Sequence, residues 1–349
     1  MIRKRIYSLD LLKLISILIV FFYHVLMDMY VIHPMYNLKF LEIILIRPNV
    51  HLAMLACGIF IFISGATLKL NERDESILSF YKRRLVKTLI PFYFAYIIYF
   101  IIKAITLRNI HLFGGIEKWR FIYTIFGIDE YLNAAGIKTF TLGIGEWFLG
   151  CIILCYLIYP VLSYLDKKHK MATFVIFTIY DILINVFYSR FNFVMPQHFN
   201  FLCQVYNFYL GIFIVNEKVF NKLKKYQIIG ILLVLFIYFY PYTFNIPDNL
   251  KITLCTISIV VAFRSLENVL VKNDFMIAII KKFNAISLEF FLVHHFVIYE
   301  VDYILNYRRV GGMEFLIIVF IELIIIILIS TGISKLNKLC DQFMNKSHN

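Results

Sequence analysis

Runs of large apolar residues recur along the whole of this chain, joined for the most part by short polar connections. A helix needs ~20 apolar residues to cross the hydrocarbon core of a bilayer. Hydrophobic residues make up 61% of the 349 and charged residues only 16%, more apolar material than a soluble core requires. The pattern predicts an all-α, polytopic integral membrane bundle of about ten transmembrane helices. They fall near residues 9–30, 51–69, 88–105, 144–165, 171–188, 200–215, 227–242, 249–264, 284–304 and 314–333. One membrane domain is expected over 1–340, with a short cytoplasmic tail over 341–349.

The formal charge is +13. On a soluble protein that would suggest a nucleic-acid partner. Here the basic residues gather in alternate connections, from Arg3, Lys4 and Arg5 through Lys82, Arg83, Arg84 and Lys87 to Lys335 and Lys338. More than twice as many lie on that side as on the other. This is the positive-inside pattern, so both termini are expected inside and no nucleic acid is implied. The basic start before the first apolar run resembles a signal peptide, but no small-residue cleavage site follows, so it is read as an uncleaved span. The six cysteines form no metal-ligand pattern with nearby histidines and read as small buried residues. No metal site is expected.

Lys13 and His24 stand inside the first apolar run. Eleven residues of helix make about three turns, so both side chains share a face, roughly 16 Å apart along the axis. A cation in hydrocarbon costs about 2.5–3.5 kcal/mol on insertion scales. That face must look into a polar interior, which makes the helix a wall of a site. A histidine there can exchange a proton near neutrality, although one near the interface can also simply bond a backbone carbonyl. Arg83, Arg84 and Lys87 lie in an amphipathic stretch, 70–87, with Ile77, Leu78, Tyr81 and Leu85 on one face. Such a stretch suits anionic lipid headgroups or a phosphorylated cofactor, besides its ordinary topological meaning. Gly143, Gly145 and Gly150 flank Glu146 and Trp147 at the start of the fourth run. They allow close helix approach, and Glu146 is placed to orient an imidazole. Residues 106–143, with Trp119, read as an interfacial or re-entrant element over the site. Asp181 and Glu322 read as structurally paired acids.

Taken in order, these motifs resemble the membrane acyltransferases of the acyltransferase-3 type, which O-acylate bacterial cell-surface carbohydrates. The resemblance spans nearly the whole chain. It rests on Leu9-Asp10-Leu11-Leu12-Lys13 with His24, on Phe60 to Gly65, and on Arg84, Lys87, Pro91 and Phe92. It rests further on Trp147-Phe148-Leu149 with Tyr156 and Pro160, and on Phe291-Leu292-Val293-His294. It implies an acyl-CoA-dependent O-acyltransferase of the bacterial inner membrane, an O-acetyltransferase first of all, whose acceptor is a surface polysaccharide or its lipid-linked precursor. Acetyl-CoA or another acyl-CoA would be the donor, with no permanently bound cofactor. His24 and Glu146 would be catalytic, Lys13, Arg83, Arg84 and Lys87 would hold the donor, and Trp147 and His294 would bind substrate. Whether His24 is a general base or a transient acyl acceptor is left open. Lysine stands at 13 and 87 where arginine is commoner in the family, which weakens bidentate phosphate recognition there. Some members carry an extra domain outside the membrane. Only about fifteen residues follow the last run here, so transfer is expected to finish in the membrane domain or with a separate partner. A polysaccharide exporter, or a non-enzymatic subunit of a glycan assembly complex, is the alternative from another class.

Overall fold

The computed structural model describes residues 5–32, 46–106, 115–305 and 312–346. Arg3 and Lys4 lie outside the described residues. Helices in chain order are α1 (Tyr7–Ile32), α2 (Leu52–Leu70), α3 (Ile77–Thr106), α4 (Phe121–Ile125), α5 (Asp129–Ala134), α6 (Glu146–Val186) and α7 (Phe201–Ile214). Then follow α8 (Glu217–Lys224), α9 (Gln227–Phe239), α10 (Asp248–Arg264), α11 (Glu267–Leu270), α12 (Asp274–Asn284), α13 (Ser287–Leu305) and α14 (Gly312–Lys346). No strand forms among the described residues. All ten apolar runs are helical. Among the described residues, five helices are both long and apolar enough to cross a membrane by themselves: α1, α2, α3, α6 and α14. Helices α7 and α9 are shorter apolar helices, while α10 and α13 carry too many polar groups to pass on apolarity. They are interior helices: α13 buries Glu289, His294, Glu300 and Asp302.

Several expectations about boundaries change. The runs at 144–165 and 171–188 belong to one helix, α6, broken at His169 (φ −136°, ψ 47°). At 1.5 Å per residue its 41 residues would reach about 60 Å, twice the thickness of the hydrocarbon core. The break falls in the polar run Asp166-Lys167-Lys168-His169-Lys170, which holds no glycine or proline, and the helical run continues across it. The Thr173 hydroxyl donates to Leu165 O across the break (3.2 Å). The stretch at 70–87 is no separate surface helix either. From Ile77 it is the first turns of α3, which continues through Pro91. Helix α14 runs on to Lys346.

Two apolar cores lie side by side. One joins α2, α6, α7 and α10, and the other joins α3, α13 and α14. Helix α1 contributes Leu9, Leu12 and Val20 to the first and Ile17, Phe21 and Val25 to the second. It is therefore the spine between them. Glu267 fixes its start: the amides of Tyr7 and Ser8 donate to that carboxylate at 2.8 and 2.7 Å, satisfying two of the donors that a helix N-terminus leaves open. The tightest packing is between α2 and α7. A Cβ on Gly65 would lie 2.1 Å from Phe208 O, and one on Gly211 would lie 2.0 Å from Phe62 O. The six cysteines are free.

Residues 115–143 fold over the start of α6. Trp119, Phe121, Ile122, Ile125 and Phe126 are exposed, as an interfacial element requires. Asp129 is buried beneath them. It accepts from the Thr124 hydroxyl at 3.1 Å and the Glu130 amide at 3.0 Å, yet burial outweighs both and pushes its carboxyl up from 3.8 to about 6.

Two outcomes follow. Gly211→Val forces α2 and α7 apart, and thermal unfolding in detergent should show a loss of about 1–3 kcal/mol or more. For Asp129, the folded state holds its proton more tightly than the unfolded state. Its contribution is thus fully present below pH ~4 and lost as pH rises through about 6. Asp129→Asn should flatten the stability profile over that window, measured as melting temperature against pH.

Candidate active site

His24 on α1, Glu146 at the start of α6 and His294 on α13 meet at the seam between the two cores. His24 Nε2 lies 3.1 Å from Glu146 Oε1, and His294 Nε2 lies 3.7 Å from the same oxygen. Both are close approaches, but that oxygen makes no aligned hydrogen bond. The rings of His294 and His295 sit 5.2 and 4.8 Å from the ring of His24. His294 is 2% exposed, and its Nδ1 is 2.7 Å from Phe291 O. That contact makes Nδ1 the protonated nitrogen and turns the Nε2 lone pair toward Glu146.

The chain is bent to present this carboxylate. Gly143 and Gly145 have φ of +76° and +73°, and Glu146 itself has φ +46°, a region costly for a residue with a Cβ. Polar contacts hold the bend. The Gly143 amide donates to Thr141 Oγ1 (3.0 Å), and the Thr141 hydroxyl donates to the Glu130 carboxylate. The Tyr96 hydroxyl donates to Phe140 O at 2.6 Å. Glu130 lies outside the spans. Burial raises its pKa, the Thr141 bond opposes this, and the charge of Glu146 adds to it. Gly150 admits α5 against α6, since a Cβ there would lie 2.3 Å from Tyr131 Cβ.

A cavity of about 460 Å³ opens at the basic end of the bundle, within the usual range for small-molecule sites. Arg5, Arg84, Lys87 and Lys281 line it, and Lys13 stands deeper. Lys13 Nζ donates to Ser287 Oγ at 2.6 Å, tying α1 to α13, and lies 5.9 Å from the Phe60 ring centroid. The lining includes Phe60, Phe148 and Phe291, but not His24, Glu146 or His294. These three rings touch one another, with centroids 4.9–6.4 Å apart. Phe291 in turn lies 5.5 Å from the ring of His294. One aromatic layer thus separates the cavity from the histidines.

The sequence-predicted residues divide accordingly. His24, Glu146 and His294 come together; Lys13, Arg84 and Lys87 line the cavity. Arg83 turns aside: its Nε donates to Glu75 at 3.1 Å, it lines a second recess with Glu72, Arg73 and Lys167, and it holds the Glu75 carboxyl below the usual range. Trp147 is buried and stacks on Phe199 at 4.7 Å, so it packs rather than facing the cavity. His294 stands beside the other two polar groups, and not in the cavity. Asp181 accepts from Asn185 Nδ2 at 2.9 Å, whereas buried Glu322 has no hydrogen bond to either carboxylate oxygen among the described residues. Sequence reasoning missed Lys281 as a cavity group; it marks the run from Ser287 to His295 as a candidate constellation, without placing Ser287 in the cavity or His295 beside His24. The His294-His295 pair was a visible signal for the last. His24, Glu146 and His294 present three donor atoms within 4.8 Å, and because each sits on a different helix no local spacing announces them.

No curated protein and no solved structure matches the chain. The family model described as an acyltransferase domain, of the acyltransferase-3 type, matches residues 6–335. That span holds every group of this site except Arg5, and the chain belongs to this family of membrane acyltransferases.

Proposed function

We infer that the chain is an acyl-CoA-dependent O-acyltransferase, simplest as an O-acetyltransferase, acting on a cell-surface polysaccharide or its lipid-linked precursor. It works in the bacterial inner membrane, with ten crossings and both termini inside. The single observation that carries this reading is the basic-mouthed cavity ending one aromatic layer from the His24–Glu146 pair. Arg84, Lys87 and Lys281 form a site for a multiply phosphorylated donor, Arg84 by its planar fork and the lysines as point charges. The pantetheine arm fits the deeper, apolar part past Lys13. The amphipathic start of α3 lies against anionic headgroups.

With Glu146 against one nitrogen of His24, the other nitrogen carries the lone pair. It takes the proton of the sugar hydroxyl, the oxygen attacks the thioester carbonyl, and the carbon–sulfur bond breaks to release the CoA thiolate. Direct acylation of His24 followed by transfer uses the same lone pair. Either way the Phe60–Phe148–Phe291 layer must part for the acyl group to pass.

His24→Ala should lower transfer by about 10²–10⁴-fold, the usual contribution of a general base. The check is proton NMR of surface polysaccharide from parent, deletion and complemented strains. Polymer present but lacking its ester supports the enzyme; loss of polymer itself would instead mark an exporter. A second expectation separates two neighbouring arginines. Arg84→Ala should raise KM for acyl-CoA roughly tenfold or more, as loss of a charge-assisted hydrogen bond does. Arg83→Ala should leave KM near the parent value, since Arg83 is engaged with Glu75.

A further inference from the structure

We propose that His24, Glu146 and His294 form a binding site for a divalent cation of the zinc type, and that its occupancy silences acyl transfer. Zinc bonds of about 2.0–2.2 Å at tetrahedral angles place neighbouring donor atoms about 3.3 Å apart. The two separations around Glu146 Oε1 are 3.1 and 3.7 Å, on either side of that spacing. All three donor atoms lie within 4.8 Å of one another. Two imidazoles and one carboxylate are a recurrent zinc donor set that keeps a fourth position open.

A second observation points the same way. Glu146 Oε1 and His294 Nε2 are buried without an aligned hydrogen bond, and both face the centre of the cluster. His294 shows the support that a ligating histidine needs. Its Nδ1 is held by Phe291 O at 2.7 Å, which fixes the tautomer and leaves Nε2 free to bind. The side chains of His24 and Glu146 keep 17% and 20% of their exposure, so an ion has a way in.

The silencing follows from proton bookkeeping, and it rests on the acyltransferase reading. In the working state Glu146 faces Nε2–H of His24 and the lone pair is on Nδ1. A cation on Nε2 takes that nitrogen's lone pair, and the proton of the neutral ring moves to Nδ1. His24 then has no lone pair to give to a hydroxyl or an acyl group. The cation and the substrate proton compete for one imidazole.

The test uses the full-length protein, purified in detergent and stripped with chelator. Titration with cobalt(II) should give the visible bands of a tetrahedral site, saturating at one equivalent and abolished by added zinc. His294→Gln should lose the bands. His294→Cys, a ligand swap, should restore them with an added thiolate-to-cobalt charge-transfer band. Zinc should inhibit acetyl transfer with the same half-saturation that displaces cobalt. The proposal is overturned by the absence of saturable cobalt binding, by unchanged bands in His294→Gln, or by full activity with one equivalent of zinc bound. The cobalt spectrum needs no substrate. If the metal-free protein transfers no acyl group from acyl-CoA while cobalt binds as described, the acyltransferase reading fails and the metal site stands.

Discussion

The architecture depends on keeping the charge of Lys13 out of hydrocarbon. An ammonium group three turns below a histidine on an otherwise apolar helix cannot face lipid at either level. Helix α1 meets this by lying between two apolar cores and turning both groups toward the seam. Lys13 crosses the seam to Ser287, and His24 reaches Glu146. The helices that supply these partners, α13 and α6, are thereby fixed against α1 at two heights. The cavity runs from the basic mouth past the lower tie toward the upper one, and that mouth is where polar groups of α1, α3 and α12 converge.

The upper tie is held by backbone rather than by burial alone. A carboxylate at a helix N-terminus benefits from the helix dipole, but a regular helix start would not place Glu146 over His24. The chain uses two glycines with positive φ and then puts Glu146 itself into the left-handed region. Such conformations persist only where the surroundings over-determine them. Here the surroundings are Thr141, Glu130 and the Phe140 carbonyl held by Tyr96. The folded cover over 115–143 is thus the support of the carboxylate.

Much of this was legible in the sequence, for stated reasons. Apolar runs announce membrane helices, and Lys13 with His24 announces a polar face, because both follow from one-dimensional periodicity. Glu146 was legible from its glycines. What escaped depends on three dimensions. Arg83 and Arg84 are neighbours in sequence, yet a helix turns successive residues about 100° apart, and only the fold decides which one meets the cavity and which meets Glu75. Trp147 reads as a substrate contact until Phe199 arrives from another part of the chain to cover it. The break at His169 carries no proline or glycine, so periodicity alone could not tell a bent helix from two. The three-helix donor set around Glu146 Oε1 has no sequence spacing at all.

The aromatic layer gives the arrangement its logic. On the proposed acyl-CoA reading, a thioester exposed to water beside a general base would hydrolyse, so donor and base would need separating until an acceptor is in place. Phe60, Phe148 and Phe291 supply that separation from α2, α6 and α13, helices drawn from both cores. Their relative positions are set by the same ties that α1 makes through Lys13 and His24. Phe291 is also the residue whose carbonyl holds His294. A displacement of α13 that moves the Phe291 ring therefore also moves the His294 imidazole. Opening the layer and rearranging the polar cluster are in this way one motion, and the passage of an acyl group is linked to the geometry of the groups that would use it.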